Sequence, residues 1–212
     1  MRLPAQQYWD HIFLLNLSKC ADEPLDNLKI QKIAFISENE ARKKKLKAAH
    51  FPFFRYTYGS FSREVANDVR KLEDLGFLHP ETREPTERAK YLLDYTEEFV
   101  KKSKAAQSSL RIVAHICRKY RGVKSTKLVD IVYKMKVPVA QFQDRIMLVR
   151  DIPLRADIIR PDSDLLPDFS IFPQQAIEDL RAEFALSAED LNPVNPDNIA
   201  FARAALDAAL AR

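Results

Sequence analysis

Residues 58–86 are YGSFSREVANDVRKLEDLGFLHPETREPT, the most regularly patterned stretch of the chain. Its apolar side chains recur at helical spacing, at Phe61, Val65, Val69 and Leu72. Ser60 and Ser62 begin this stretch, and serine is a preferred N-cap residue. Gly76 follows it, and glycine commonly ends a helix in the left-handed conformation. The pattern predicts one amphipathic helix with defined ends.

The segment after Gly76 predicts a short strand, a turn and another helix. Phe77-Leu78 is apolar, residues 79–85 are polar with a proline near each end, and Thr86 is a cap for the next helix. Helix, glycine, short strand, polar hairpin and helix, in this order, are typical of a winged helix-turn-helix unit. We therefore expect a wing near residues 77–85.

The first fifty residues predict two helices. One covers Trp9–Lys19, and the second begins at a cap, Asp26 or Asn27. The basic run Arg42–Lys45 in its last turns is explained by the helix dipole, which favours cations at the C-terminus. The alternative for this run is a nucleic-acid patch. An extended aromatic segment is expected over Phe51–Tyr58.

Two basic amphipathic helices are predicted within residues 101–136. Gly122 ends the first, and Ser125 or Thr126 caps the second. These elements complete a helical domain that we expect to span residues 1–136.

The character of the chain changes from Pro138. Prolines recur through an acidic segment, with room for short helices near Gln174–Phe184 and Asn198–Leu210. We expect residues 137–212 to form an acidic, proline-rich C-terminal extension. The predicted fold class is mainly α: a helical domain with a winged-helix-like unit and a short β-hairpin, followed by this proline-broken extension.

Charge is distributed unevenly along the chain. Residues 101–150 hold 13 basic and 2 acidic residues, a net charge of +11, whereas residues 151–212 hold 5 and 12, a net charge of −7. We hypothesise that the acidic extension folds back over the basic helices or reaches a basic patch on a partner. Its candidate apolar anchors are Leu165, Leu166, Phe169, Ile171 and Phe172. The alternative is a disordered, solubilising tail.

The usual catalytic signatures are missing from the sequence. Only three glycines occur, so neither a dinucleotide nor a P-loop phosphate cradle can form in its usual glycine-rich pattern. The four histidines show no metal-ligand spacing, and Cys20 and Cys117 are better explained as buried thiols than as a disulfide or a metal site. We therefore expect no catalytic residues, no cofactor, no metal and no enzymatic activity. With no signal peptide pattern and no long apolar run, we expect a cytoplasmic protein without a membrane segment.

Three segments in order resemble the Panacea-domain proteins, the SocA-like antitoxin family. Residues 28–36, LKIQKIAFI, are similar to that family's "LxKLLYF"-type helix, and residues 58–65, YGSFSREV, resemble its "YGP" element. Ser125–Tyr133 is similar to a later helix of the family, so the resemblance covers about residues 8–136. Ser60 replaces the expected proline, and the basic linker and the acidic tail have no counterpart. The resemblance implies a prokaryotic antitoxin that neutralises a cognate toxin by direct contact; it leaves the chemistry of the toxin open.

Two surfaces are candidates for binding. Tyr56 and Tyr58, together with the apolar anchors of the extension, are the candidate partner-binding residues. The alternative function is a DNA-binding transcriptional regulator, in which a recognition helix and its wing would use Arg63, Asn67, Arg70, Lys71 and Arg83. The same helix carries Glu64, Asp68, Glu73 and Asp74, which repel phosphate, so we expect weak DNA binding or none. Whether the chain forms a homo-oligomer is left open.

Overall fold

A computed structural model describes residues 2–160 and 171–185. This part of the chain is mainly helical and contains a small antiparallel sheet. The predicted helix near residues 198–210 and the candidates Leu165, Leu166 and Phe169 lie outside the described residues.

Seven α-helices and five strands occur within the described residues. The helices are α1 (Pro4–Ala21), α2 (Asn27–Lys43), α3 (Arg63–Asp74), α4 (Glu87–Lys102), α5 (Lys104–Tyr120), α6 (Ser125–Tyr133) and α7 (Gln174–Glu183). The strands are β1 (Phe53–Tyr56), β2 (Gly59–Phe61), β3 (Lys136–Val139), β4 (Arg145–Leu148) and β5 (Asp157–Ile159).

The core is built around α1 and α2, which are buried over most of their circumference. α1 buries the run from Tyr8 to Leu15 and packs against α2, α4 and α5. α2 buries Ile30, Ile33 and Phe35, and it contacts α5, α6 and the β1–β2 hairpin. Because other elements surround both helices, their polar positions are also enclosed, and this enclosure is what brings charged groups into the interior.

Most predicted helix ends are confirmed. Asp26 caps α2 by accepting a hydrogen bond from the Lys29 amide at 2.6 Å. Ser62 and Thr86 cap α3 and α4, and Gly76 follows α3 with a φ of 70°. The other predicted serine caps are wrong. Ser60 lies in β2, and Ser125 is the first residue of α6, where its hydroxyl donates to the Asp26 carboxylate.

The wing expected at residues 77–85 is not confirmed as a hairpin. Leu78 and Pro85 form a single isolated bridge, and the turn between them is closed by the amide of His79, which donates to the carbonyl of Glu84. The described hairpins lie elsewhere. β1 and β2 pair through the turn before Gly59, and β3 pairs with β4.

Several residues within 137–160 pack into the core, although residues 141–146 are exposed. β5 pairs antiparallel with β1 and gives a sheet of order β2-β1-β5, and it places Ile158 and Ile159 in the interior. Val137 and Ile152 are also buried. The boundary expected after residue 136 lies between the first and second residues of β3.

The predicted helix near Gln174–Phe184 is present as α7, but its docking surface differs from the expected one. α7 packs on the side formed by α1 and α4, rather than over the basic helices α5 and α6. The Phe184 ring lies 4.9 Å from that of Phe77 and 5.5 Å from that of Tyr8, and Glu183 pairs with Arg88 at 2.7 Å. Burial of the Phe184 ring and the ion pair between Glu183 and Arg88 explain why α7 packs on the side of α1 and α4.

Candidate protein-binding groove

An apolar groove lies between α2, α3 and the β1–β2 hairpin. Its volume is about 260 Å³. The apolar lining comes from Leu28 and Ile30 of α2, Phe61 of β2, and Val65, Ala66 and Val69 of α3. The helix stripe predicted from the sequence thus forms one wall, with Val65 and Val69 themselves buried. The groove is open to solvent at the hairpin.

Tyr56 and Tyr58 stand at the rim of this groove. Their exposed fractions are 49% and 62%, among the largest of the apolar and aromatic residues in the described part of the chain. The ring of Tyr56 packs 5.5 Å from that of Phe61, which fixes its position on the hairpin. Gly59 ends the turn with a φ of 90°, a conformation that side-chain-bearing residues rarely adopt. The hairpin therefore presents two aromatic side chains beside an apolar groove.

Two side chains of α2 hold the hairpin in place. Gln31 donates to the carbonyl oxygen of Ser62 at 2.8 Å and accepts from its amide at 2.9 Å. Lys32 donates to the carbonyl oxygen of Ser60 at 2.6 Å. On the opposite side, a Cβ at Gly59 would lie 3.4 Å from Cγ1 of Val132, so α6 backs the turn closely. These contacts give the rim a fixed geometry.

Two cationic side chains, Lys32 and Arg55, lie near each other behind the hairpin, and of the two only Lys32 lines the groove. Burial lowers the pKa of Lys32 to about 8, and the neighbouring Arg55 adds to this shift. Arg55 donates through Nε to the carbonyl of Val149 at 3.1 Å and lies over the Tyr133 ring, while its buried Nη1 has no hydrogen-bond partner in the described part. Within residues 2–160 and 171–185, neither Lys32 nor Arg55 has a carboxylate in an ion pair. The potential here favours an acidic neighbour.

The candidate nucleic-acid residues are only partly brought together. Arg63, Asn67 and Arg70 share one exposed face of α3. Lys71 lies apart from them, with its ammonium 5.8 Å from the centre of the Phe184 ring. Arg83 is engaged internally: its guanidinium lies 2.9 Å from a Glu73 oxygen and donates to the Leu25 carbonyl at 2.8 Å.

The anchors expected in the extension have a different position. Phe172 is buried, and its ring lies 5.9 Å from that of Phe99 on α4. Ile171 is half-buried next to it. Both residues pack within the chain, and Phe172 attaches the start of the α7 segment to α4.

A buried polar cluster around Asp10 was not predicted from the sequence. Asp10 accepts from the amide and the imidazole of His50 at 2.8 and 3.0 Å, and Arg2 bridges Asp10 and Asp68 at 2.7 and 2.6 Å. Burial acts to raise the pKa of Asp68, but His11 at 3.6 Å and Arg2 outweigh it, so this pKa is lowered. The Phe184 ring covers His11 at 4.7 Å. The enclosed cluster joins α1 to α3. The feature of the sequence that could have indicated it is the polar pair Asp10-His11 within an otherwise apolar helix.

The described residues contain no group of three or more histidine, cysteine, aspartate or glutamate side chains able to hold a metal ion. Cys117 is buried, Cys20 is half-buried, and neither is in a disulfide. None of the helices in residues 2–160 and 171–185 has the length and apolar character needed to cross a bilayer. Comparisons with protein-family models, curated proteins and solved structures give no match to this chain.

Proposed function

We propose that this chain is an antitoxin-like protein that neutralises a cognate toxin by direct binding, and that the groove is its contact surface. The observation that carries the proposal is the pair of exposed tyrosines, Tyr56 and Tyr58, beside a fixed apolar groove. Tyrosine supplies a large contact area at a small cost in conformational entropy, and it is enriched where interfaces concentrate their binding energy.

The chemistry of the groove indicates what it binds. Its walls are apolar, so an apolar side chain of the toxin would enter between α2 and α3. Lys32 is the cationic residue in the lining of the groove, and it favours an acidic residue next to that anchor. We therefore propose that the bound segment of the toxin combines an apolar anchor with a carboxylate.

The family resemblance supports the same surface. Residues 28–36 lie in α2, residues 58–65 form β2 and the start of α3, and Ser125–Tyr133 is α6. These three segments meet around the groove, since α2 and α3 form its walls and Val132 of α6 backs Gly59. The residues that carry the resemblance thus surround one site.

Co-expression tests the proposal. The protein encoded by the adjacent reading frame is expressed from an inducible promoter, with and without this chain, and growth is measured. We expect growth to stop without the chain and to recover with it. The double variant Tyr56→Ala, Tyr58→Ala should lose the rescue and weaken binding by at least about tenfold, since truncating a hot-spot residue of an interface costs about 2 kcal/mol or more.

The matched control is Tyr91→Ala, because Tyr91 is a partly exposed tyrosine on α4, outside the groove. It should rescue growth like the unmodified chain. Full rescue by the double tyrosine variant would place the contact elsewhere, and a harmless neighbouring protein would contradict the antitoxin function.

A winged-helix DNA-binding regulator is the second candidate. It is favoured by the exposed face of α3, where Arg63, Asn67 and Arg70 lie together. The engagement of Arg83 with Glu73 removes one expected phosphate contact. In a gel shift with upstream DNA, Arg70→Ala should then cost about 1–3 kcal/mol at one operator position. Equal binding to unrelated DNA would contradict this candidate.

A further inference from the structure

A second pocket lies between the C-terminal end of α2 and the outer face of α5. Its volume is about 410 Å³. Four exposed side chains with cationic or titratable heads line it: Lys44, Arg111, His115 and Lys119. Glu40 is the one acidic residue in its lining, and the Glu40 carboxylate is bound by Lys43 at 2.6 Å. The pocket is therefore strongly cationic.

Three side chains on the outer face of α5 form a row. Arg111, His115 and Lys119 are spaced four residues apart, which places them on the same side of the helix over a length of roughly 12 Å. In the described part of the chain, neither Arg111 nor Lys119 takes part in an ion pair. The row is thus available to an external anion.

Lys44 extends this surface across to α2. The last turn of α2 contains Arg42 and Lys43, so these two residues can complement the helix dipole. Lys44 lies one position beyond, at the C-cap, and has no ion pair among the described residues. The helix dipole therefore favours Lys44 as well, and its side chain also lines the pocket.

The acidic segment leaves this surface open where it is described. α7 packs on the side of α1 and α4, and its residues Asp179 and Glu183 bind Tyr95 and Arg88 of α4. The row on α5 remains solvent-exposed.

We propose that this pocket binds the sugar–phosphate backbone of a nucleic acid, without reading its sequence. Phosphate is the anion that arginine and lysine bind most generally, and an extended row on one helix matches successive phosphates better than one enclosed ion. All four side chains are exposed. The binding is therefore dominated by counterion release and falls steeply with salt. This surface is separate from the groove and from the α3 face.

Fluorescence anisotropy with a labelled DNA duplex of arbitrary sequence tests the proposal. The triple variant Lys44→Gln, Arg111→Gln, Lys119→Gln is compared with the full chain between 50 and 200 mM salt. We expect the absolute slope of log K against log salt concentration to decrease by about 2–3, because three phosphate contacts are lost. The affinity at low salt should fall at least about tenfold.

The matched control removes three positive charges from α3 and its inner edge, by Arg63→Gln, Arg70→Gln and Lys71→Gln. It should keep most of the affinity and the slope. Equal losses in both variants would show a net-charge effect and overturn the site. No binding of the full chain at 50 mM salt would also overturn it, and so would preference for phosphatidylserine vesicles that the duplex does not displace.

Thermal melting checks that both triple variants fold. Lys44, Arg111 and Lys119 are exposed, so we expect the melting midpoint of their triple variant to be unchanged. If the triple variant melts at a lower temperature, single charge reversals replace the two triple variants. Lys119→Glu on α5 is then the test, and Arg70→Glu on α3 is its control.

Discussion

Lys32 shows at the level of one residue how a surface-type side chain becomes part of the interior. Its side chain is almost fully buried, and its ammonium donates to Ser60. Between pH 8, near its folded pKa, and the unfolded value of about 10.4, the unfolded chain holds the proton and the folded chain releases it. The free energy of unfolding therefore gains a rising contribution from Lys32 across this range.

We predict that Lys32→Met removes this contribution. Relative to the variant, the unmodified chain should become more stable from pH 7 to pH 10, by about 2–3 kcal/mol. Urea unfolding of both proteins at the two pH values measures the change, and Lys127→Met, at an exposed position of α6, is the control. A stability difference that is constant with pH would contradict the prediction.

Arg2 holds two buried carboxylates, Asp10 and Asp68, and its own pKa is raised although burial alone would lower it. We predict that Arg2→Met destabilises the fold by about 3 kcal/mol at pH 7, because it leaves buried charge uncompensated. The pKa of Asp68 is lowered, so the stability it contributes is present above pH 4 and is lost as the pH falls through its folded pKa.

Chemical denaturation of the Arg2→Met variant at pH 7 and pH 3 is the measurement. The loss of stability should be smaller at pH 3, and Arg70→Met on exposed α3 should cost less than about 0.5 kcal/mol. An equal loss at both pH values would mean that packing, and not charge, explains the role of Arg2.

At the scale of elements, the C-terminal end of α7 is held by aromatic packing. Phe184 packs against Tyr8, His11 and Phe77. We predict that Phe184→Ala removes about 3–5 kcal/mol of packing and releases α7 before the rest of the fold. Hydrogen exchange is the measurement: amides of Gln174–Glu183 should exchange much faster, while those of α2 change little. A uniform increase across all helices would contradict local release.

Local chemistry was enough to predict the helices. The caps Asp26, Ser62 and Thr86 act within three residues of themselves, so their effect is visible in the sequence. β5 could not be predicted this way, because it has three residues and pairs with β1 across about a hundred residues of chain. The hairpin expected over residues 77–85 is not confirmed, because its polar turn closes over a single isolated bridge.

The candidate groove was only partly visible in the sequence. Tyr56 and Tyr58 could be proposed because aromatic residues beside a glycine turn suit an interface, and both are exposed. The role of Lys32 could not be proposed, since a lysine in a helix is ordinarily solvated and its burial depends on the hairpin that packs on it. The contact of Phe172 with Phe99 depends on tertiary packing in the same way.

For the whole molecule, the C-terminal half closes a core that the N-terminal helices begin. β5 completes the sheet beside β1, and α7 covers the open side of α1. The net charge of +11 over residues 101–150 remains partly on the surface, because α7 packs on α1 and α4. Within residues 151–160 and 171–185, the buried contacts are mainly apolar, from Ile152, Ile158, Ile159, Phe172 and Phe184.

Truncation tests this division. A chain ending at Arg150 loses the buried residues Ile152, Ile158, Ile159, Phe172 and Phe184. Each is worth about 1.5–3 kcal/mol of burial, and together they approach the total stability of a typical domain, about 5–15 kcal/mol. We predict that this chain is unfolded.

A chain ending at Ala185 keeps every contact of the described residues, so we predict a thermal midpoint within a few degrees of that of the full chain. Circular dichroism melting of both measures the outcome, with binding to the labelled duplex as a second readout. The removed residues 186–212 carry four acidic and two basic side chains, so the affinity should change little. A large gain in affinity would show that these residues shield the α5 surface, and early melting would show that they complete the core.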